Sequence, residues 1–341
     1  MGLDITVVLN DVFDGGELDR AQAATVMGML MDGELSQMQA AALLAALRTR
    51  GETVDEIVGF ARAMRERAIR LPVRSKGPLL DTCGTGGTGV DTLNISTTAM
   101  FVIAAAGVRV AKHGNRGFTR RSGSADVLEN LGVNLDGDPE RLADSLEATG
   151  LTFIYARNHH PAMRFVAPVR ADLKARTIFN SLGPLTNPAG ANRQLLGVYS
   201  RDLTEKLALT LRGLGVDRAL VVHGDGLDDV SVSGTTTVSE LKEDGSVDTF
   251  DVIPEDFGFQ RRPLDTIRGG DAATNARITR AVLSGELRGA PRDIVVFSAA
   301  AGLLAGGHSP DLMTAVTAAE ELVASGAAAA KLEEFISFNR V

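Results

Sequence analysis

The chain has no tryptophan, two tyrosines and one cysteine among 341 residues. With only 4% aromatic side chains, Leu, Val and Ala must do most of the packing that rings do elsewhere. Cys83 has no second cysteine to pair with, which excludes a disulfide-stapled scaffold and fits a reducing, cytoplasmic setting. Placed at the end of a predicted strand, it reads as a small buried thiol rather than a nucleophile. No apolar run reaches membrane-spanning length, and no basic segment followed by an apolar one opens the chain. Neither a membrane role nor a secretory leader is expected. Positive charge is outnumbered, with 35 Lys and Arg against 43 Asp and Glu and a net charge of −8. Broad nucleic-acid or membrane-surface binding needs a basic face that this balance does not supply.

What remains is a soluble globular composition, 44% hydrophobic and 23% charged, long enough for a large core and two domains. One stretch, Leu79 to Asp126, gathers the residue types that hold a polyphosphate. Leu79 to Cys83 predicts a buried strand, and Gly84, Gly86, Gly87 and Gly89 follow at once, leaving backbone N–H groups uncovered to wrap an anion. Asn94 and Ser96 open an apolar run that stops at Gly107, so a helix N-terminus should face the same loop. A second strand, Val108 to Ala111, is expected to deliver Lys112, His113 and Arg116, with Arg120 and Arg121 close behind.

Three simpler readings of this stretch compete. Gly84, Gly86 and Gly89 fit a dinucleotide fingerprint, but the acidic residue expected about 20 positions on is missing and the second strand ends in Lys112. The nucleotide P-loop needs a Lys-Ser or Lys-Thr pair after its glycines, and none follows Gly89. A tight structural turn explains the glycines alone, but not the cations that follow in an acidic chain.

The motifs GTGG and NIST, then KHGNR, SGSADVLENLG, HPAM and RTIFNSLGPLTNP, run in one order through the chain. In this it resembles the anthranilate phosphoribosyltransferase family, and the resemblance covers essentially the whole length. The resemblance implies an α/β protein of nucleoside-phosphorylase-like fold: a small N-terminal all-helical domain, residues 1–72, with a returning helical segment at about 162–190. A larger α/β domain with a mostly parallel central sheet, 73–341, would bind phosphoribosyl pyrophosphate. It implies transfer of the phosphoribosyl group to the amine of anthranilate in tryptophan biosynthesis, with Mg²⁺, and a homodimer formed through the helical part. Carried over residue by residue, the donor would be bound by Gly84, Gly87, Thr88, Thr92, Asn94, Ile95, Ser96, Thr97, Lys112, His113, Gly114, Asn115, Arg116, Arg120 and Ser124. Gly84, Asn115, His160 and Arg170 would bind anthranilate. Ser96, Asp228 and Asp229 would hold the metal. No residue is assigned as a general acid or base.

The residues read on their own agree in outline. The first 70 predict helices only, with capping-box spacings at Ser36/Gln39 and Thr53/Glu56. Such amphipathic helices must bury their stripe on another domain or subunit. From Leu79 strands and helices alternate, as in a parallel sheet covered by helices. Thr235 to Phe259 predicts a hairpin around Asp244 and Gly245. Asp271 to Leu283 predicts a helix, Ile294 to Phe297 a strand, and Ala299 to Leu304 the helix after it.

Displacing pyrophosphate places negative charge on the leaving group, which glycine-loop amides, a helix terminus and Lys112 can stabilise in advance. On spacing alone Asp228 and Asp229 read as a solvated acidic turn; the resemblance makes them the carboxylate pair for Mg²⁺. An arylamine is already unprotonated, so positioning should dominate; the substrate carboxylate wants a fork-shaped cation, and the resemblance puts Arg170 in that place. Five departures from the family pattern stand out: Thr88 where an Asp is usual, Thr119, Arg120 and Arg121 where Ser-Ser-Lys is usual, Asp229 for Glu, Thr274 for Glu and Ser298 for Asn. They leave open a divergent enzyme acting on a related arylamine, or a non-catalytic nucleotide-binding descendant.

Overall fold

The computed structural model describes residues 3–117 and 121–340. Four helices open the chain: α1 (Ile5–Phe13), α2 (Arg20–Asp32), α3 (Gln37–Arg50) and α4 (Val54–Glu66). Side chains fix where they begin. Ser36 with Gln39 and Thr53 with Glu56 form reciprocal capping boxes, and Asp19 with Gln22 forms a third that the sequence reading passed over. Glu56 does more than cap. Wholly buried, its carboxylate also accepts from the Leu18 N–H at 3.0 Å and from Arg50 at 2.5 Å, tying the start of α4 to the turn before α2.

The larger part begins with β1 (Leu80–Gly84), α5 (Ile95–Ala105), β2 (Val110–Gly114), α6 (Ser124–Leu131), α7 (Pro139–Thr149) and β3 (Leu151–Tyr155). A broken helical passage follows: α8 (Ala156–His159), a 3₁₀ turn at Pro161–Phe165, α9 (Ala167–Leu173), α10 (Phe179–Leu182) and a second turn at Gly183–Leu185. Then come β4 (Arg193–Gly197), α11 (Leu203–Gly213), β5 (Arg218–Gly224), the hairpin β6 (Thr236–Leu241) and β7 (Val247–Val252), and four closing helices. These are α12 (Ala272–Leu283), α13 (Ala290–Ala305), α14 (Leu312–Ala324) and α15 (Ala327–Asn339). One seven-stranded sheet runs in the order β3-β2-β1-β4-β5-β6-β7. The first five strands are parallel; β6 and β7 close one edge antiparallel.

Strand periodicity divides the core between the two faces of the sheet. In β5, Leu220 and Val222 join the cluster built on Phe101, Phe297 and Phe335 of α5, α13 and α15. Ala219 and Val221 point the other way, into a cluster with Phe60, Leu44 and Leu211. The N-terminal helices therefore bury their apolar stripe on the same chain's sheet and on α11, and Val166, Phe179 and Leu182 of the broken passage join them.

Two expectations need correction. Ile294 to Phe297 is not a strand but the middle of α13, which runs unbroken from Ala290 to Ala305. Lying between the sheet and its neighbours, α13 is buried on nearly every side, so its sequence shows no 3.6-residue alternation and its β-branched run imitates a strand. The second strand begins at Val110 rather than Val108 and runs on through Lys112 and His113. The ammonium expected just beyond the sheet is thus part of it.

Candidate active site

The strand order reverses at β1, since β2 and β3 are added on one side of it and β4 and β5 on the other. In an open α/β sheet such a switch point leaves a crevice at the carboxyl ends of the strands. Here the crevice is widened. β1 pairs with β4 over five residues, but with β2 only at Leu80↔Val110. Beyond that, side chains span the gap: Asp81 accepts from the His113 N–H at 3.0 Å, and Lys112 donates to the Thr82 carbonyl and, at 3.1 Å, to Ser96 Oγ. Lys112 is 1% exposed, so it fixes the floor of the crevice rather than standing on its surface. Burial lowers its pKa and pushes the fully enclosed Asp81 up to about 6. Cys83, also buried, has its thiol pKa raised well above normal, as expected of an inert core residue.

The glycine loop leaves the end of β1. Gly86, Gly87 and Gly89 adopt φ of 68°, 80° and 77°, conformations open to glycine and costly for other residues. Gly84 serves a different need: a Cβ there would collide with the Asp228 carboxylate. That carboxylate accepts from the Gly86 N–H at 2.7 Å. Arg176, arriving from the broken helical passage, donates to the Gly87 carbonyl and lies 4.3 Å over the Tyr199 ring. Thr88 is half-buried on this loop, and Thr92 is buried in an isolated bridge with Arg268. Helix α5 then starts at Asn94, Ile95, Ser96 and Thr97, with no side-chain cap. The structure brings these residues and Lys112 to one end of the sheet.

After β2 the chain turns back sharply through Gly114 and Asn115. A Cβ on Gly114 would meet the Phe153 ring and Ser124. Asp126 closes the loop by accepting from both Gly117 N–H (2.9 Å) and Gly123 N–H (2.8 Å), and Ser124 begins α6. Arg116 is turned away from the glycine loop: it meets Glu129 at 2.5 and 2.7 Å, Asp126 at 3.0 Å and the Tyr155 hydroxyl at 3.1 Å. Its acidic partners sit on α6, 10 and 13 positions on, a spacing no motif announces. Arg121 is exposed with Asp91 at 3.9 Å, and Thr119 and Arg120 lie outside the described residues.

The floor continues into a pair of histidines. His113 and His160 are both buried, with Nε2 atoms 3.3 Å apart and ring centroids at 5.1 Å. Burial drives His113 far below its ordinary pKa and His160 down to about 4, so both are neutral at pH 7. His160 Nδ1 is buried without a partner. Arg170, on α9, packs 5.6 Å over the Phe179 ring and makes no ion pair among the described residues. Burial lowers its pKa.

Asp228 and Asp229 follow β5 and are 9% and 8% exposed. Burial pushes Asp229 up to about 7. No cluster of three His, Cys, Asp or Glu occurs among the described residues. That donor set suits Mg²⁺, which takes one or two carboxylates and completes its shell with phosphate and water, and does not suit zinc. The two adjacent buried acids fit such an ion, with Ser96 across the crevice at the start of α5.

Known proteins match this arrangement along the whole chain. Residues 76–329 match the glycosyl transferase family, a/b domain, and residues 6–68 its helical bundle domain. The chain belongs to this glycosyl transferase family. Its relatives in the family include an anthranilate phosphoribosyltransferase of Rubrobacter xylanophilus, 52% identical over 96% of this chain and 95% of that protein. One of Symbiobacterium thermophilum is 52% identical over 97% and 96%. Among solved glycosyl transferases, the Thermus thermophilus anthranilate phosphoribosyltransferase superposes with a TM-score of 0.93 at 46% identity, covering 99% of this chain and all of that one. The Saccharomyces cerevisiae enzyme, solved in complex with PRPP and Mg, gives 0.87 at 26% identity, covering 98% and 97%.

Proposed function

We infer that this protein is an anthranilate phosphoribosyltransferase, a pentosyltransferase of tryptophan biosynthesis that moves the phosphoribosyl group from phosphoribosyl pyrophosphate to the amine of anthranilate. One coincidence carries the reading. Positive-φ glycines, an uncapped helix terminus and two buried acids meet at the switch point of the sheet, in a chain half identical to such enzymes from end to end.

The donor diphosphate lies against the amides of the glycine loop and the start of α5, where Ser96 and Thr97 face it and Lys112 adds charge from below. These groups are fixed before the bond breaks, so negative charge developing on the departing diphosphate meets dipoles that need no reorganisation. Asn94, Ile95, Thr88, Thr92, Gly114, Asn115 and Ser124 line the same donor region. Asp228, Asp229 and Ser96 hold Mg²⁺, which when bound neutralises phosphate charge. Arg170 takes the carboxylate of anthranilate, while Asn115 and neutral His160 border its amine and ring. With an unprotonated amine and neutral histidines, bringing the nitrogen to the sugar carbon is the main task of the acceptor side.

The helical part, residues 1–72, joins two copies into a homodimer in the cytoplasm. Val7 (65% exposed), Phe13 (57%) and Met38 (82%), large apolar side chains left exposed on α1 and α3, support this. No helix among the described residues is long and apolar enough to cross a membrane.

The decisive assay supplies phosphoribosyl pyrophosphate, Mg²⁺ and a panel of arylamines, following loss of anthranilate fluorescence and release of pyrophosphate. Turnover of anthranilate is expected. Turnover of a different amine with anthranilate inert would move the assignment to a related acceptor, and no turnover of any amine would reject it.

A further inference from the structure

Asn275, at the start of α12, is 1% exposed and lies 181 positions along the chain from the residue it touches. Both ends of its amide are engaged. Its Oδ1 accepts from the Gly270 N–H at 2.8 Å, and its Nδ2 donates to Asn94 Oδ1 at 2.6 Å. Because a carboxamide nitrogen can only donate, Asn94 must present its oxygen to Asn275. The nitrogen of Asn94 then points at the Ser122 carbonyl, 3.3 Å away.

Asparagine is among the preferred residues at a helix start because its side-chain oxygen accepts from the second or third N–H of the first turn. At α5 that bond is missing. The Ile95 N–H goes to the Leu93 carbonyl and the Thr98 N–H to the Asn94 carbonyl, but the N–H groups of Ser96 and Thr97 find no acceptor among the described residues. The oxygen that would cap them is the one Asn275 has taken.

We propose that Asn275 is a positioning residue for the donor: by drawing Asn94 Oδ1 away from α5, it keeps the Ser96 and Thr97 amides uncapped for the diphosphate. This rests on the donor site given above. It assigns to a buried side chain on α12 a role that no contact with substrate would reveal. The arrangement gives up a helix cap for an anion site, so its removal should move stability and donor affinity in opposite directions. An ordinary packing role would lower both together.

The test compares the full-length protein with Asn275→Asp and Thr274→Glu by calorimetry with phosphoribosyl pyrophosphate and Mg²⁺, by thermal unfolding and by steady-state kinetics. Asn275→Asp has the same size and still accepts from Gly270, but it cannot donate to Asn94. Thr274→Glu adds the same charge one position away and leaves the Asn275 amide intact. For Asn275→Asp the donor Kd and KM should rise about tenfold, the cost of one hydrogen bond to a charged group. The KM for anthranilate should be unchanged and the Tm equal or higher. For Thr274→Glu the donor Kd should stay within about twofold. Asn275→Asp binding donor like the unaltered protein would overturn the proposal, as would an equal weakening by Thr274→Glu or a fall in Tm accompanied by losses toward both substrates. Should the unaltered protein itself fail to bind the donor, the site assignment fails instead. If Asn275→Asp does not fold, Asn275→Ala, which removes the donor without adding charge, is read against the same criteria.

Discussion

The Asp228 carboxylate accepts a hydrogen bond from the Gly86 N–H at 2.7 Å, so the acidic turn after β5 grips the glycine loop after β1 directly. In the proposed site one side chain would serve two duties, shaping the loop and offering a carboxylate to Mg²⁺. The loop cannot be repositioned without moving the acid.

Those duties can be separated. Asp228→Asn keeps an oxygen for Gly86 but loses the charge, so the Mg²⁺ concentration for half-maximal rate should rise by about tenfold or more, with donor KM at saturating metal little changed. Asp228→Ala loses both, and donor KM should rise as well. Initial rates across a Mg²⁺ series decide the point. An unchanged metal requirement in both variants would remove Asp228 from the metal site.

Arg170 is a partly buried guanidinium whose nearest described partner is the Phe179 ring, not an acid. Arg170→Ala should raise the KM for anthranilate by about tenfold to a hundredfold, the range for a hydrogen bond to a charged group, while leaving donor Kd unchanged. Arg170→Lys should recover little, because an ammonium cannot make the two parallel bonds of the fork. Calorimetry with the donor alone and kinetics with varied anthranilate separate the two effects. A matching loss of donor affinity would place Arg170 elsewhere in the mechanism.

How much of this was legible in the sequence depended on distance along the chain. Capping boxes at Ser36 and Thr53 are local signals, and each produced the helix it announces. The glycine loop and the α5 start were equally plain, for the same reason. The strand reading failed at Ile294 to Phe297 because burial on all sides erases periodicity. Lys112 was expected just past the strand because its end was read at Ala111, three residues short of Gly114. Arg116 was expected at the donor, and its pairing with Asp126 and Glu129 on α6, 10 and 13 positions on, was not legible from spacing. The pairing of Asn94 with Asn275 joins two helices that only the tertiary fold brings together. No local pattern could carry it.

The buried histidines make a pH prediction with a definite sign. His160 titrates near 4 in the folded protein because burial disfavours its charged form, against about 6.5 when exposed. Between those values the unfolded chain binds more protons, so stability rises with pH through that window and levels off above about 6.5. Asp81, held up at about 6 by burial, works in the opposite sense from about pH 4 to 6, since there the folded state keeps the proton. Comparing the protein with His160→Gln cancels the Asp81 contribution. Relative to that variant, stability should fall by up to about 1.4 kcal/mol per pH unit below pH 6.5. Urea unfolding at pH 7.5, 6, 5 and 4.5 gives the difference, and parallel curves would contradict the burial argument.

Gly183 and Gly197 look alike in a sequence, but their surroundings predict opposite results. Gly197 ends β4 directly beneath the acidic turn, and a Cβ there would overlap the Asp228 carbonyl and stand 3.0 Å from the Asp229 nitrogen. Both are backbone atoms, which cannot rotate aside, so Gly197→Ala must push the whole turn off the sheet. Its backbone φ is not positive, so the effect is steric crowding alone. The expected cost is about 1–3 kcal/mol of stability, with a higher Mg²⁺ requirement because Asp228 and Asp229 move together. Gly183 has helical backbone angles and nothing within 4 Å of its would-be Cβ. Gly183→Ala should leave stability unchanged or raise it by about 0.4–1 kcal/mol, through lost freedom in the unfolded chain. Denaturant titration and a Mg²⁺ rate series on the two variants provide the check. Full activity and normal metal dependence in Gly197→Ala would show that the acidic turn is not held where the crowded contact places it.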